Sequence, residues 1–117
     1  MKLNRHVLGH SIWAELNELN DGLDVGIYGG CSTHVGAVTL AEADGTYRTI
    51  ERDHHKDSFI SQRWAVELAK LLHVPVCVRC GIHYDNATKD QLTVITASCD
   101  EMLQTLMLIL KQERKNL

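Results

Sequence analysis

Apolar and polar residues alternate through the first half of the chain. Ile12, Ala14 and Leu16 share one parity and Glu15 and Asn17 take the other, the signature of a half-buried strand. Asn20-Asp21-Gly22 follows as a hairpin turn, because these residues tolerate positive φ. Leu23, Val25 and Ile27 form a second strand face. Gly29-Gly30-Cys31-Ser32-Thr33-His34 then interrupts the alternation. It resumes from Val35 to Ala41, and Asp44-Gly45 turns the chain into a short strand from Tyr47 to Ile50.

The period changes in the second half. Ile60, Trp64, Leu68, Leu71 and Leu72 recur at helical spacing, with Asp57 or Ser58 as N-cap. Pro75 bars further helix. Val76, Val78, Cys80 and Ile82 alternate as a strand expected inside the sheet, followed by the polar loop Gly81-Ile82-His83-Tyr84-Asp85-Asn86. Thr88 with Gln91 three residues later is a capping box. Leu92, Ile95, Cys99, Met102, Leu103, Leu106 and Ile109 then predict a long amphipathic helix ending near Lys111. The order is ββββαβα. It predicts one α+β or α/β domain over residues 1–117: a mixed five-stranded sheet with two helices on one face. The other face needs cover, and a second copy of the chain is the expected one, giving a homodimer.

Composition narrows the function classes. The net charge of −3 gives no footprint for nucleic acid or an anionic membrane. No apolar run approaches the roughly 18–20 residues of a membrane span, and no apolar signal core follows the first residues, so a cytoplasmic protein is expected. Four cysteines read as reduced thiols, since a chain with an ordinary core does not need disulfides. Seven histidines are the unusual feature.

Three polar segments carry histidine at junctions between elements. In Gly29-Gly30-Cys31-Ser32-Thr33-His34, two glycines let backbone approach a ligand and exposed N–H groups could cradle a phosphate. No Walker lysine and no G-x-G-x-x-G accompany them, and the plainer reading is a flexible hairpin connection. Asp53-His54-His55-Lys56-Asp57 precedes a helix start, where Lys56 and the helix end favour an anion; the plainer reading is a solvated charged loop. In the third segment His83 and Asp85 are two apart, so extended backbone points both the same way. They suit a pair of ligands, or a ligand with its orienting carboxylate. The plainer reading there is an Asx-type turn capping the next helix.

The remaining candidates are weaker. Cys77-x-x-Cys80 is rejected as a metal half-site, because i and i+3 of a strand point to opposite faces. Cys80 and Cys99 read as core. A Cys31/His34 nucleophile pair lacks any marked orienting group. His73 reads as a helix C-cap and His6 as surface, while His10 could reach a site. Three histidines from separate loops with an acidic neighbour would make a divalent-metal site with open positions.

Gly29-Gly30, His34-Val35-Gly36-Ala37-Val38, His55-Lys56-Asp57 and Gly81 to Asn86 together resemble the signature stretches of the LpdD-like family, in order and spacing, over most of the chain from about Gly9. Members of that family are accessory proteins of gallate decarboxylase and its relatives, and they accompany UbiD-type decarboxylases and flavin prenyltransferases. The resemblance implies a small dimeric protein that binds prenylated FMN with a divalent metal ion and protects or delivers it, without catalysis of its own. It implies His34, His55 and His83 as metal ligands, with Asp85 as fourth ligand or orienter. Gly29, Gly30 and Lys56 would serve the phosphate, and His34 and Asn86 would also contact the cofactor. Trp13 and Tyr28 are the aromatic side chains outside the core expected to stack on a flavin. The implied partner is the catalytic subunit of a gallate- or protocatechuate-type decarboxylase, with the prenyltransferase as a further one. Two alternatives stand beside this reading. One is a small metal-dependent enzyme using Asp57 or Asp85 as base. The other is a purely structural subunit binding through its last helix.

Overall fold

The computed structural model describes residues 1–53 and 57–115, so the expected roles of His55 and Lys56 lie outside the described residues. The elements run β1 (Lys2–Val7), β2 (His10–Glu18), β3 (Leu23–Gly30), β4 (Ser32–Ala41), β5 (Tyr47–Glu51), α1 (Ser58–Leu72), β6 (Val76–His83) and α2 (Lys89–Lys115). The sheet has six strands rather than five, in the order β1-β2-β3-β6-β4-β5. The additional strand, β1, is an edge strand of mostly exposed or half-buried residues. Arg5 stands between Leu3 and Val7 and breaks the apolar alternation that would have marked it. Leu8 and Gly9, both at positive φ, turn β1 into β2.

β2–β3 and β4–β5 pair as antiparallel hairpins. β6 enters between them, parallel to β3 and antiparallel to β4. It is therefore the central strand, and Val76, Val78 and Cys80 on it are fully or almost fully buried. Both helices cover the same face. Ile12, Ala14, Val25, Ile27, Val78 and Cys80 form one cluster with Trp64, Leu68 and Ala69 of α1 and Met102, Leu103 and Leu106 of α2. Burial at this density supplies most of the driving force for so short a chain.

The helix ends follow local chemistry in part. His73 closes α1 in the left-handed conformation, its N–H bonded to the Ala69 carbonyl at 2.8 Å. Thr88 and Gln91 form the reciprocal capping box, at 2.9 and 3.1 Å. Asp57 does occupy the N-cap of α1, but its side chain makes no cap hydrogen bond there. Glu51 accepts from the Ser58 N–H in its place, at 3.2 Å.

α2 corrects one expectation from the sequence. Its Lys89–Arg114 stretch, at hydropathy 1.3, is long and apolar enough by length and composition to cross a bilayer. Thr, Ser and Gln residues and the acidic pair Asp100-Glu101 interrupt the apolar run and hide this from a count of consecutive apolar residues. The stripe Ile95, Cys99, Met102, Leu103, Leu106 and Leu110 is buried, while Leu92, Val94 and Leu108 are exposed. The opposite sheet face carries Trp13, Tyr28, Cys77 and Arg79, with Arg79 bridged to Asp24 at 3.3 Å. Neither helix reaches it.

Candidate functional site

The end of β6 organises the site. The chain leaves β3 at Gly30, arches over His83 and enters β4 at Ser32, so Gly30 and Ser32 both register against His83. The Cys31 N–H donates to the His83 carbonyl at 2.7 Å, pinning the arch. Gly30 takes φ +87°, and a Cβ there would collide with the same carbonyl. The expectation of a flexible hairpin connection is therefore corrected. β3 and β4 are not partners; Gly30 is required by the tight crossing over His83, and Gly29 by the close approach of Ser11 and Ile12 in β2.

β4 then departs from regular pairing. Thr33 registers with Ile82 and Ala37 with Cys80, so His34, Val35 and Gly36 bulge out opposite Gly81. The bulge brings His34 to Asp57, Nε2 to Oδ2, at 2.9 Å. The Asp57 carboxylate is almost completely buried. Its Oδ1 accepts the Ile82 N–H at 3.0 Å and faces the Cys80 thiol at 3.6 Å. Burial, reinforced by the nearby Asp57 charge, pushes the Cys80 thiol far above its ordinary value, so that sulfur stays protonated. Two glycines make room. A Cβ at Gly36 would strike the Asp57 carboxylate, and one at Gly81 would strike the His34 carbonyl.

The second histidine lies beside the first. The His34 and His83 rings are 5.9 Å apart between centroids. His83 Nε2 meets Asp85 Oδ1 at 2.9 Å, so Asp85 stands as the orienting carboxylate of His83. Asn86, at φ +52°, is part of the turn that follows. Around the arch, Cys31 Sγ is 3.5 Å from His10 Nε2 and accepts the Asp85 N–H at 3.4 Å. The cysteine thus pairs with His10 rather than with His34. Tyr84 packs edge-on against His10 and donates its hydroxyl to the Val7 carbonyl at 2.7 Å. Burial raises the pKa of that hydroxyl.

Of the residues expected at the site, Gly30, His34, His83, Asp85 and Asn86 gather at this end of the sheet, with Gly29 just before the arch. Among the described residues, no three His, Cys, Asp or Glu side chains stand close enough to hold one metal ion. His34 and His83, each beside a carboxylate, are the two imidazoles that the described residues bring together here.

Next to the histidines opens a cleft of about 1040 Å³ between α1, the first half of α2 and the end of β6. Phe59, Ile60, Trp64, Ile82, Leu92 and Ile95 give it apolar walls. His34, Asp57 and His83 lie along it, and Lys89 and Arg63 add positive charge, Arg63 being held by Asp100 at 2.8 Å. Its aromatic residues are Phe59, Trp64 and Tyr84. Trp13 and Tyr28 are not among them. They pack against one another on the opposite sheet face, ring centroids 6.3 Å apart and tilted by 48°, because their parity in β2 and β3 is opposite to that of Ile12 and Ile27.

Sequence reasoning took Asp57 as a helix cap, or as a base in the enzyme alternative. It missed the contact to His34, and with it the part played by Gly36 and Gly81. The chain did carry one signal. Both glycines lie next to apolar β positions, where a missing Cβ marks a close approach.

Residues 6–111 match the model of the prenylated flavin chaperone LpdD-like domain. The chain is 28% identical over 99 residues to Protein LpdD of Lactiplantibacillus plantarum, covering 80% of this chain and 73% of that protein. In fold it is similar to a chain in the crystal structure of a chaperone complex for yeast 20S proteasome assembly. That likeness has TM-score 0.53 at 13% identity, covers 97% of this chain and 96% of that one, and concerns the fold alone. With nearly the whole chain inside the family model, this protein belongs to the prenylated flavin chaperone LpdD-like family.

Proposed function

We propose that this protein is a non-catalytic carrier that holds prenylated FMN and hands it to a UbiD-type decarboxylase of hydroxyarylic acids such as gallate or protocatechuate. The observation that carries the reading is the cleft of about 1040 Å³ with apolar walls and two histidines at its side. A volume of this size suits a cofactor-sized ligand, and few convergent polar groups beside apolar walls suit a planar ring system. Phe59 and Leu92, both exposed at the cleft, would face the ring. Lys89, and Lys56 from outside the described residues, would meet the phosphate.

His34 and His83 would hold a divalent ion, with Asp57 and Asp85 behind them and His55 as the third ligand the family resemblance implies. Such an ion would supply a fixed positive charge for an anionic cargo. A carrier must release what it binds, and half-exposed ligands such as His83 are suited to release. The flavin prenyltransferase would be the donor and the decarboxylase the acceptor. The open sheet face with Trp13 and Tyr28 would be covered by a second copy.

The test is anaerobic titration with prenylated FMN, with and without a divalent metal, followed by gel filtration and an absorbance spectrum. Co-elution of flavin that requires metal, His34 and His83 is the expected result. Retention of no flavin under any condition would remove the carrier reading.

A further inference from the structure

The first two turns of α2 are built unlike the rest of it. From Ile95 onward the helix buries a regular stripe in the core, through Cys99, Met102, Leu103, Leu106 and Leu110. Thr88 to Val94, by contrast, are all exposed. Leu92 continues the apolar stripe three residues before Ile95, yet it is exposed, because the cleft rather than the core lies beside it. Lys89, Leu92, Thr93 and Thr96 line that cleft from α2, and Phe59, also exposed, lines it from α1. Among the described residues, the side-chain hydrogen bonds of this segment stay within α2 and its cap. Those to α1 begin at Cys99 and Asp100, through Trp64 and Arg63.

The joint between the two parts is weak by residue type. Thr93-Val94-Ile95-Thr96 sets four β-branched side chains in a row, and such side chains lose rotamer freedom in a helix. Ser98 Oγ donates to the Val94 carbonyl at 2.9 Å and Thr93 Oγ1 to the Lys89 carbonyl at 3.1 Å. Such bonds back to the preceding turn weaken the helical ladder and bend it. On the far side of the joint, the capping box of Thr88 and Gln91 keeps the exposed turn helical.

We propose that residues 88–92 form a lid, hinged at Thr93–Thr96, that closes over a ligand in the cleft by carrying Leu92 toward Phe59. Over an empty cleft the closed form would enclose a void, whose walls lose their packing partners, so the lid stays open. An apolar ring in the cleft fills that void, and closure then removes Leu92 and Phe59 from water. The inference rests on the carrier reading for the identity of the ligand, while the hinge stands on the chain alone.

Hydrogen exchange of the full chain, read residue by residue by NMR, tests it in two steps. In ligand-free protein the amides of residues 93–96 are expected to exchange at least about tenfold faster than those of residues 99–107, through a local opening that denaturant hardly affects. Equal rates would remove the hinge. The double variant Val94→Ala, Ser98→Ala, at two positions that do not line the cleft, removes one β-branch and one competing hydroxyl. It is expected to slow exchange at 93–96 about fivefold, and unchanged exchange would mean that these residues are not the joint. Prenylated FMN with Mn²⁺ is then added anaerobically, and its retention is read by gel filtration. Loading is expected to raise protection at 93–96 at least about tenfold. Flavin retained with no added protection overturns the closure and leaves the carrier reading standing. If no flavin is retained, the carrier reading falls and closure over that cargo falls with it, while the ligand-free rates still decide the hinge.

Discussion

Trp64 of α1 donates its indole N–H to the Cys99 carbonyl of α2 at 3.2 Å, and both residues lie along the cleft. Trp64 is also the largest fully buried side chain. The helices thus meet through this large anchor and the Arg63–Asp100 bridge beside the cleft. Trp64→Phe keeps much of the packing and removes one hydrogen bond to a carbonyl that also serves the α2 ladder, a cost of about 0.5–1.5 kcal/mol. Trp64→Ala is expected to cost about 3–5 kcal/mol. Denaturant unfolding with unchanged slope checks both. Near-equal losses would mean that the hydrogen bond, not the ring, fixes the helices.

Gly81 and Gly9 make a contrasting pair. Alanine at Gly9, at φ +83° with nothing within 4 Å, carries only backbone strain of about 1–2 kcal/mol. Alanine at Gly81 meets the His34 carbonyl and must displace the bulge. Its expected cost is about 3 kcal/mol or more, with loss of flavin binding. Thermal melts of the two variants side by side check this. Equal changes in melting temperature would show that the bulge yields easily.

Alkaline stability follows from Cys99. Burial first, then the Asp57 and Asp100 charges, push its thiol up to about 12 from an ordinary 9.0. The folded state favours the neutral thiol, so this contribution is fully present below about pH 9 and is lost progressively as pH rises toward about 12. Cys99→Ala is expected to lower stability at neutral pH and to flatten the decline above pH 9, as read by denaturant midpoints across pH. An unchanged slope would assign the decline to other groups.

Thiol labelling should be ordered by exposure. Cys31 is exposed, Cys77 half-buried with its pKa raised by desolvation and Asp24, and Cys80 and Cys99 are buried. An alkylation time course followed by peptide mass spectrometry is expected to modify Cys31 first, then Cys77, and Cys80 and Cys99 only on unfolding. Early labelling of Cys99 would mean that α2 opens locally from the core.

Much of this was legible in the chain. β2, β3 and β6 each bury every second residue, and a two-residue period is a local property that composition displays. The capping box at Thr88 and Gln91 is equally local. β1 was not legible. An edge strand buries little, and Lys2, Asn4 and His6 pair through backbone groups that leave no mark on residue type.

The sequence by itself determined the α+β class, the order of the elements from His10 onward, and the gathering of His34, His83 and Asp85 at junctions. Those features follow from periodicity and from breaks in it. Only the tertiary structure decided that β6 threads between β3 and β4, because strand neighbours are chosen by hydrogen bonds between distant segments. It also decided the role of Asp57. Local propensity marks an aspartate before a helix as its cap. The carboxylate instead accepts the Ile82 N–H, 25 residues away, and lies 2.9 Å from His34 Nε2 across the sheet end, where burial makes an unmet donor costlier than an empty cap.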